Sequence, residues 1–182
     1  VLVRHGETEW SASGRHTSRT DLPLTPAGRE RAIALGSELR GHEWETVLAS
    51  PRRRAWETCE LAGLGHAMAI DEDLREWEYG EYEGLTTQEI RDRRPGWSLW
   101  RDGCPGGETP EQVAARADHL IDTLCRSDGD CVLFGHGHML RVLAARWVGQ
   151  PAGFGARLAL STGTVSTLGF ERETQVIQTW NR

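Results

Sequence analysis

The sequence predicts an α/β protein: a three-layer α/β/α sandwich around a mainly parallel sheet, built as one domain over residues 1–182. Three observations predict it. Short apolar runs alternate along the chain with longer stretches of helical periodicity, the pattern of a parallel sheet covered on both faces. The helical stretches begin and end on recognisable cap residues. No internal repeat or linker composition divides the 182 residues, which are enough for one core.

The elements follow in order. The opening VLV reads as a strand ending at Arg4. LTPAGRERAIALGSELRG reads as a helix, with Thr25 as N-cap, Pro26 at the first helical position and Gly41 closing it. TVLAS (46–50) is a second strand, and PRRRAWETCELAG a helix entered through Pro51. TTQEI carries a capping box from Thr86 to Glu89. TPEQVAARADHLIDTLCRSDG repeats that grammar with Thr109, Pro110 and Gln112, and its Val113, Ala117, Leu120, Ile121 and Leu124 share one helical face. CVLFG (131–135) is a buried strand and HMLRVLAARWVG the helix after it; ARLAL, TVSTLGF and QVIQTW read as closing strands. The segment from about Asp71 to Gly107 is rich in Trp, Tyr, Gly and charge and lacks a long periodic run. It is expected to form a lid-like excursion over the sheet's C-terminal edge.

Composition narrows the function. Hydrophobic content of 38% and charged content of 26% describe a soluble globular chain. No apolar run approaches a membrane span and no signal peptide is visible, so a cytoplasmic protein without a membrane partner is expected. The chain begins inside an apolar run, which predicts a few residues ahead of Val1. The cysteines (Cys59, Cys104, Cys125, Cys131) show neither C-x-x-C nor zinc spacing and read as reduced thiols. Cys59, Cys125 and Cys131 fall in apolar-periodic segments and are expected in the core. All 21 basic residues are arginine, which excludes Schiff-base catalysis and a P-loop lysine. A net charge of −6 argues against non-specific nucleic-acid binding. Any anion must be caught by a local cluster of arginine and histidine. The oligomeric state stays open, a homo-oligomer included.

Ligands of open α/β sheets bind outside the carboxyl ends of the strands. Three segments leave strands with unusual polar residues: RHGET, SPRRRA and GHGHM. A fourth, LREWEYGEYEG, opens the excursion with a run of carboxylates. If they converge, one site holds Arg4, His5, one of Arg52 to Arg54, Glu76 or a neighbouring carboxylate, and His136. That set suits phosphate-ester hydrolysis without a metal or cofactor. Two arginines grip phosphoryl oxygens and spread transition-state charge. A neutral imidazole attacks phosphorus, giving a phosphohistidine. A carboxylic acid protonates the leaving oxygen and later takes a proton from water. His136 begins a helix, whose dipole favours the bound anion, and the glycines beside it admit close backbone approach. Taken singly, Arg52 and Arg53 read as solvated, and Glu81 and Glu83 as surface charges.

Other chemistries fit less well. No cysteine is followed six residues later by arginine, and DED (71–73) lacks the threonine and lysine of an aspartate-nucleophile phosphatase. G-x-S-x-G and H-E-x-x-H are absent. A metal site from His5, His16, His136 and His138 would set a cation beside Arg4, which repels it. A phospho-ligand-binding module with a weak site is the non-enzymatic alternative.

The four motifs, in this order, resemble those of the histidine phosphatase superfamily, also called phosphoglycerate mutase-like, over nearly the whole chain. The resemblance implies His5 as the phosphorylated nucleophile, Arg4, Arg54 and His136 as the phosphate pocket, and Glu76 as proton donor. It selects Arg54 from the arginine triplet and Glu76 from the carboxylates. GRHTSRTDLPLT corresponds to the family loop that closes on the substrate phosphate, which implies contacts from Thr17 and Ser18; Gly137 and His138 follow the second histidine. Glycine is common where Ser18 stands, and a small residue or asparagine where His138 stands. LREWEYGEYEG, WRDGCPGGET and HGHMLR are similar to the subgroup containing sedoheptulose-1,7-bisphosphatase and related acid phosphatases. The subgroup implies a small phosphorylated metabolite, a sugar phosphate or bisphosphate, with His16, Trp77, Trp100 and Arg101 facing its non-reacting part. Mutases of the family share the phosphohistidine but carry longer insertions and a tail over the site. The short chain therefore points to hydrolysis, with phosphotransfer the alternative.

Overall fold

In the computed structural model, which describes residues 1–182, six strands run in the order β3-β2-β4-β1-β5-β6. They are β1 (Leu2–Arg4), β2 (Thr46–Ala49), β3 (Met68–Ile70), β4 (Cys131–Gly135), β5 (Val165–Glu171) and β6 (Thr174–Thr179). β4 lies parallel between β1 and β2, and β3 extends the parallel part beyond β2. β5 pairs antiparallel with β1, and β6 antiparallel with β5, so the sheet is mixed.

The helices are α1 (Glu9–Ala12), α2 (Pro26–Leu39), α3 (Arg53–Leu61), α4 (Thr87–Arg93), α5 (Leu99–Asp102), α6 (Pro110–Leu124) and α7 (Gly137–Trp147). Strand alternation divides the core between the two faces. Val3, Val47, Ala49, Val132 and Phe134 pack against Leu35, Leu39 and Cys59 of α2 and α3. Leu2 and Leu133 point the other way, into Val113, Ala117 and Leu120 of α6 and Met139, Leu140 and Leu143 of α7. A central strand buried on both faces must be apolar throughout, hence CVLFG. No helix is long and apolar enough to cross a membrane.

Caps set the helix ends. The Thr25 hydroxyl accepts the N–H of Gly28 at 3.0 Å, with Pro26 following it. Complete capping boxes open α4 at Thr86/Glu89 and α6 at Thr109/Gln112. α3 begins at Arg53, two residues later than Pro51.

Two expectations are corrected and one strand is new. ARLAL is no strand: Ala152–Arg157 form a 3₁₀ segment, and the Leu160 carbonyl accepts from the Arg4 guanidinium instead of a ladder partner. Met68–Ile70, three residues on the sheet edge with Ala69 and Ile70 exposed, form an unforeseen strand. Cys125 is exposed at the C-cap of α6 and Cys131 is half-buried, whereas Cys59 and Cys104 are buried.

The 71–107 excursion carries two short helices and packs inward. Trp77, Tyr79, Ile90, Trp97 and Leu99 are buried in the core on the α6–α7 side. A buried ion pair fastens its start: Arg116 donates to both oxygens of Glu108, at 2.8 and 2.7 Å. The same guanidinium donates to the carbonyls of Asp73 and Arg75, and Glu108 accepts the N–H of Glu78. With both charges bonded on all sides, the cost of burying them is offset.

Candidate active site

β1, β2 and β4 are parallel neighbours, so their carboxyl ends open on one side. Residues just past them stand abreast: the His5 N–H bonds the Gly135 carbonyl at 3.0 Å and the Ser50 N–H bonds that of Phe134 at 2.9 Å. The rings of His5 and His136 meet edge to face at 5.2 Å. Beside them lies a cavity of about 180 Å³ lined mainly by polar residues, with Arg4, His5, Glu76 and His138 on its walls.

His5 is buried, and its Nδ1 lies 2.7 Å from the Gly6 carbonyl oxygen. A carbonyl only accepts, so Nδ1 holds the proton and Nε2 keeps its lone pair. Burial, then the charges of Arg54 and Arg4, push its pKa well below the ordinary 6.5. The imidazole is therefore neutral at neutral pH, with its free nitrogen unprotonated. The turn behind it is built on close approach: a Cβ on Gly6 would fall 2.4 Å from the Gly28 carbonyl oxygen. The Gly6 N–H is held by the Thr58 hydroxyl at 3.0 Å.

Arg54 is fully buried. Its terminal nitrogens donate to the carbonyls of Thr20 (3.1 Å), Thr17 (3.0 Å) and Ser18 (3.4 Å). Arg4 packs against Gly137, where a Cβ would stand 3.2 Å from its guanidinium carbon. His136, the N-cap of α7, bonds the Ser50 hydroxyl through Nε2 at 2.7 Å. Burial, then Arg54, His5 and Arg4, hold His136 well below the ordinary range. The Nε atoms of Arg4 and Arg54 and Nδ1 of His136 are buried with no partner in the protein. Buried polar atoms left unpaired are costly, and the charges of Arg4 and Arg54 acting on both imidazoles suit the place to an anion.

Glu76 is fixed by three amides. One oxygen accepts the N–H groups of Trp77 (2.8 Å) and Met139 (2.9 Å), the other that of His138 (3.0 Å). The last two belong to the first turn of α7, so the acid segment is docked on the helix that carries the second histidine motif.

Of the residues expected to meet substrate, Thr17, His16, Gly137 and His138 line the cavity. Four others are corrected. Ser18 is buried with its hydroxyl donated to Glu83 at 2.6 Å. Trp77 is buried, its indole N–H bonded to the Glu108 carbonyl. Trp100 stands behind His138, ring to ring at 5.2 Å. Arg101 is exposed and paired with Asp102, away from the cavity.

Sequence reasoning missed Tyr79, Arg15, Arg141 and Ser50, and it misplaced Glu83. The Glu83 carboxylate accepts the N–H and hydroxyl of Ser18 and the N–H of Thr20, clamping the 15–21 loop opposite Arg54. Burial alone would raise its pKa, but the bonds from Ser18 and Thr20 outweigh that and hold it below the ordinary 4.5. The clamp's contribution is accordingly full above that pH and lost as the pH falls through the lower folded-state value. Glu83→Gln is expected to cost about 1–2 kcal/mol, after discounting for its half-exposure. It should also raise KM more than it lowers kcat. Urea unfolding with steady-state kinetics checks both; an unchanged KM would show that the loop is held otherwise.

Neutral imidazoles and guanidiniums at the carboxyl ends of the parallel strands of an α/β sheet make a cavity suited to an anion. The histidine phosphatase superfamily (branch 1) family model matches residues 1–182. Over 175 residues the chain is 43% identical to an acid phosphatase of Mycobacterium tuberculosis, covering 94% of this chain and 86% of that one. It is 39% identical over 181 residues to sedoheptulose 1,7-bisphosphatase of Saccharomyces cerevisiae, covering 82% and 67%. A solved structure of a Mycobacterium tuberculosis open reading frame product superposes with a TM-score of 0.94 at 40% identity, covering 99% of this chain and 95% of that one. The chain belongs to the histidine phosphatase superfamily and is a phosphoric monoester hydrolase.

Proposed function

We propose that the protein hydrolyses small phosphomonoesters, sugar phosphates and bisphosphates foremost, through a phosphohistidine on His5 and without a metal ion or cofactor. The observation that carries this reading is the free Nε2 of a neutral His5, whose ring meets that of His136 and feels the charges of Arg54 and Arg4, three residues that each keep a buried nitrogen without a protein partner. Nε2 attacks phosphorus in line while those donors hold the non-bridging oxygens. The ester P–O bond breaks and Glu76 gives the leaving oxygen its proton. Water then attacks the phosphohistidine, returns a proton to Glu76, and frees phosphate and neutral His5. Thr17 contacts the bound phosphoryl group from the loop. Relatives named as phosphatases support hydrolysis over transfer, and four unpaired thiols suit a cytoplasmic setting.

Turnover of para-nitrophenyl phosphate in EDTA, with a rapid-quench phosphoenzyme that survives alkali and is lost in acid, tests the reading. Loss of turnover in EDTA, an acid-stable phosphoenzyme, or faster transfer to an added monophosphate than to water would each overturn it. The proton-donor role has its own test. Glu76→Gln is expected to slow phosphoenzyme formation from glycerol phosphate 10²–10⁴-fold, roughly the range of general acid catalysis, while para-nitrophenyl phosphate loses only a few-fold. Equal losses for both esters would remove Glu76 from that role.

A further inference from the structure

Glu76 has two neighbours on the cavity wall, Tyr79 and His138, that take no part in these steps. The carboxyl is buried, and its Oε1 already accepts two N–H groups, those of Trp77 and Met139. Its Oε2 accepts one, from His138. Each carboxyl oxygen offers two lone pairs, so the proton of the acid form has one place left, on Oε2. That oxygen lies 3.8 Å from Nδ1 of His138. The Tyr79 hydroxyl joins the two groups. It stands 2.6 Å from the same Nδ1 and hydrogen-bonds the Glu76 carboxyl as well.

The chemistry of each member suits a path for protons. Burial, then the charge of Glu76, holds the Tyr79 phenol well above its ordinary pKa. The phenol therefore stays un-ionised, and it can pass a proton on only as it receives another. Burial, then Arg141 and His16, holds His138 well below the ordinary 6.5, so its ring is neutral, with one N–H and one lone pair. The His138 Nε2 has no protein partner. Its side chain is 24% exposed, against 6% for Glu76. The imidazole is the open end of this chain of bonds and the carboxyl its buried end.

We propose that Glu76, Tyr79 and His138 form a proton relay, through which the buried acid reaches the ester by way of the imidazole. This deepens the phosphatase reading and rests on it. Before reaction the Glu76 O–H donates to the Tyr79 oxygen, Tyr79 donates to Nδ1, and the ring proton of His138 is on Nε2. As the ester P–O bond breaks, Nε2 gives its proton to the leaving oxygen. Nδ1 takes the proton of Tyr79, and Tyr79 takes that of Glu76. The carboxylate is left with three amides and the phenol donating to it. Water attacking the phosphohistidine then returns a proton to Nε2, and the two inner protons step back. Only Glu76 changes charge, so it remains the acid and base of the cycle. Each tautomer of His138 corresponds to one state of Glu76.

Rapid-quench phosphoenzyme formation in mixtures of light and heavy water tests the relay, with glycerol 3-phosphate and para-nitrophenyl phosphate as substrates. For wild type and the glycerol ester, the plot of rate against deuterium fraction is expected to bow below a straight line, because several protons move together. Tyr79→Phe keeps the ring in place, slows this ester about 10²-fold, the low end of general acid catalysis, and straightens the plot. His138→Gln keeps the backbone N–H that holds Glu76, cuts the chain at its other end and does the same. The double variant loses no more than either single one, as members of one unit do. The nitrophenyl ester, whose leaving group needs no proton, loses only a few-fold in each variant. A straight plot for wild type, equal losses for the two esters, or losses that multiply in the double variant overturns the relay while Glu76 keeps its role. Failure of Glu76→Gln to tell the two esters apart overturns instead the proton-donor reading on which the relay rests.

Discussion

Replacing His5 by alanine is expected to lower turnover about a millionfold, the loss typical of deleting a covalent nucleophile from a hydrolase. Phosphate monoesters resist water so strongly that the remaining donors cannot compensate. Arg4, Arg54 and His136 would still bind an oxyanion, so phosphate or vanadate should still raise the melting temperature of the variant. Loss of chemistry with retention of binding separates a missing nucleophile from a collapsed pocket. A folded variant keeping more than a few per cent of wild-type turnover would mean that phosphorus is attacked by something else.

The second large effect is on stability in acid. His5, His136 and His138 have folded-state pKa values well below the ordinary 6.5, with burial the first cause in each. Nearby arginines add to it: Arg54 and Arg4 for His5, Arg54 for His136, Arg141 for His138. Above 6.5 these groups are neutral whether the chain is folded or not, and pH has no hold on them. Below it the unfolded chain takes up protons that the folded chain refuses, so stability falls as pH falls, until the folded values are reached. Each imidazole contributes a slope of about 1.4 kcal/mol per pH unit, so the three together approach about 4 kcal/mol per unit. Urea unfolding at pH 7.5, 6.5 and 5.5, in buffer free of phosphate, measures it. A flat profile would show that the imidazoles accept protons in place.

What could be read in the sequence was what repeats locally. Thr25 with Pro26, Thr86 with Glu89 and Thr109 with Gln112 announce helix starts because the capping bond spans three residues. RHG, SPRRRA and GHG stand at strand ends because polar side chains after an apolar run have nowhere else to go. What stayed hidden depends on residues far apart in sequence. Glu83 looks like any surface glutamate, since its partners lie 63 and 65 residues away. Trp77 is placed at the substrate by the subgroup resemblance, but its indole is buried in the core and bonds the Glu108 carbonyl, 31 residues away. ARLAL has a strand's alternation, but its first residues finish a 3₁₀ segment and its Leu160 carbonyl is taken by the distant Arg4 guanidinium. MAI is too short and too exposed to show a period at all.

The guanidinium of Arg54 serves two neighbourhoods: its terminal nitrogens hold the carbonyls of Thr17, Ser18 and Thr20, and its charge bears on His5 and His136. Occupancy of the anion position and order of residues 17–20 are therefore linked through a single side chain. Thermodynamic reciprocity then applies: whatever factor loop ordering adds to phosphate affinity, phosphate adds to loop ordering. On the proposed reading, inorganic phosphate that leaves this position takes with it part of what orders the segment, so product release and an opened entrance for the next ester are expected together.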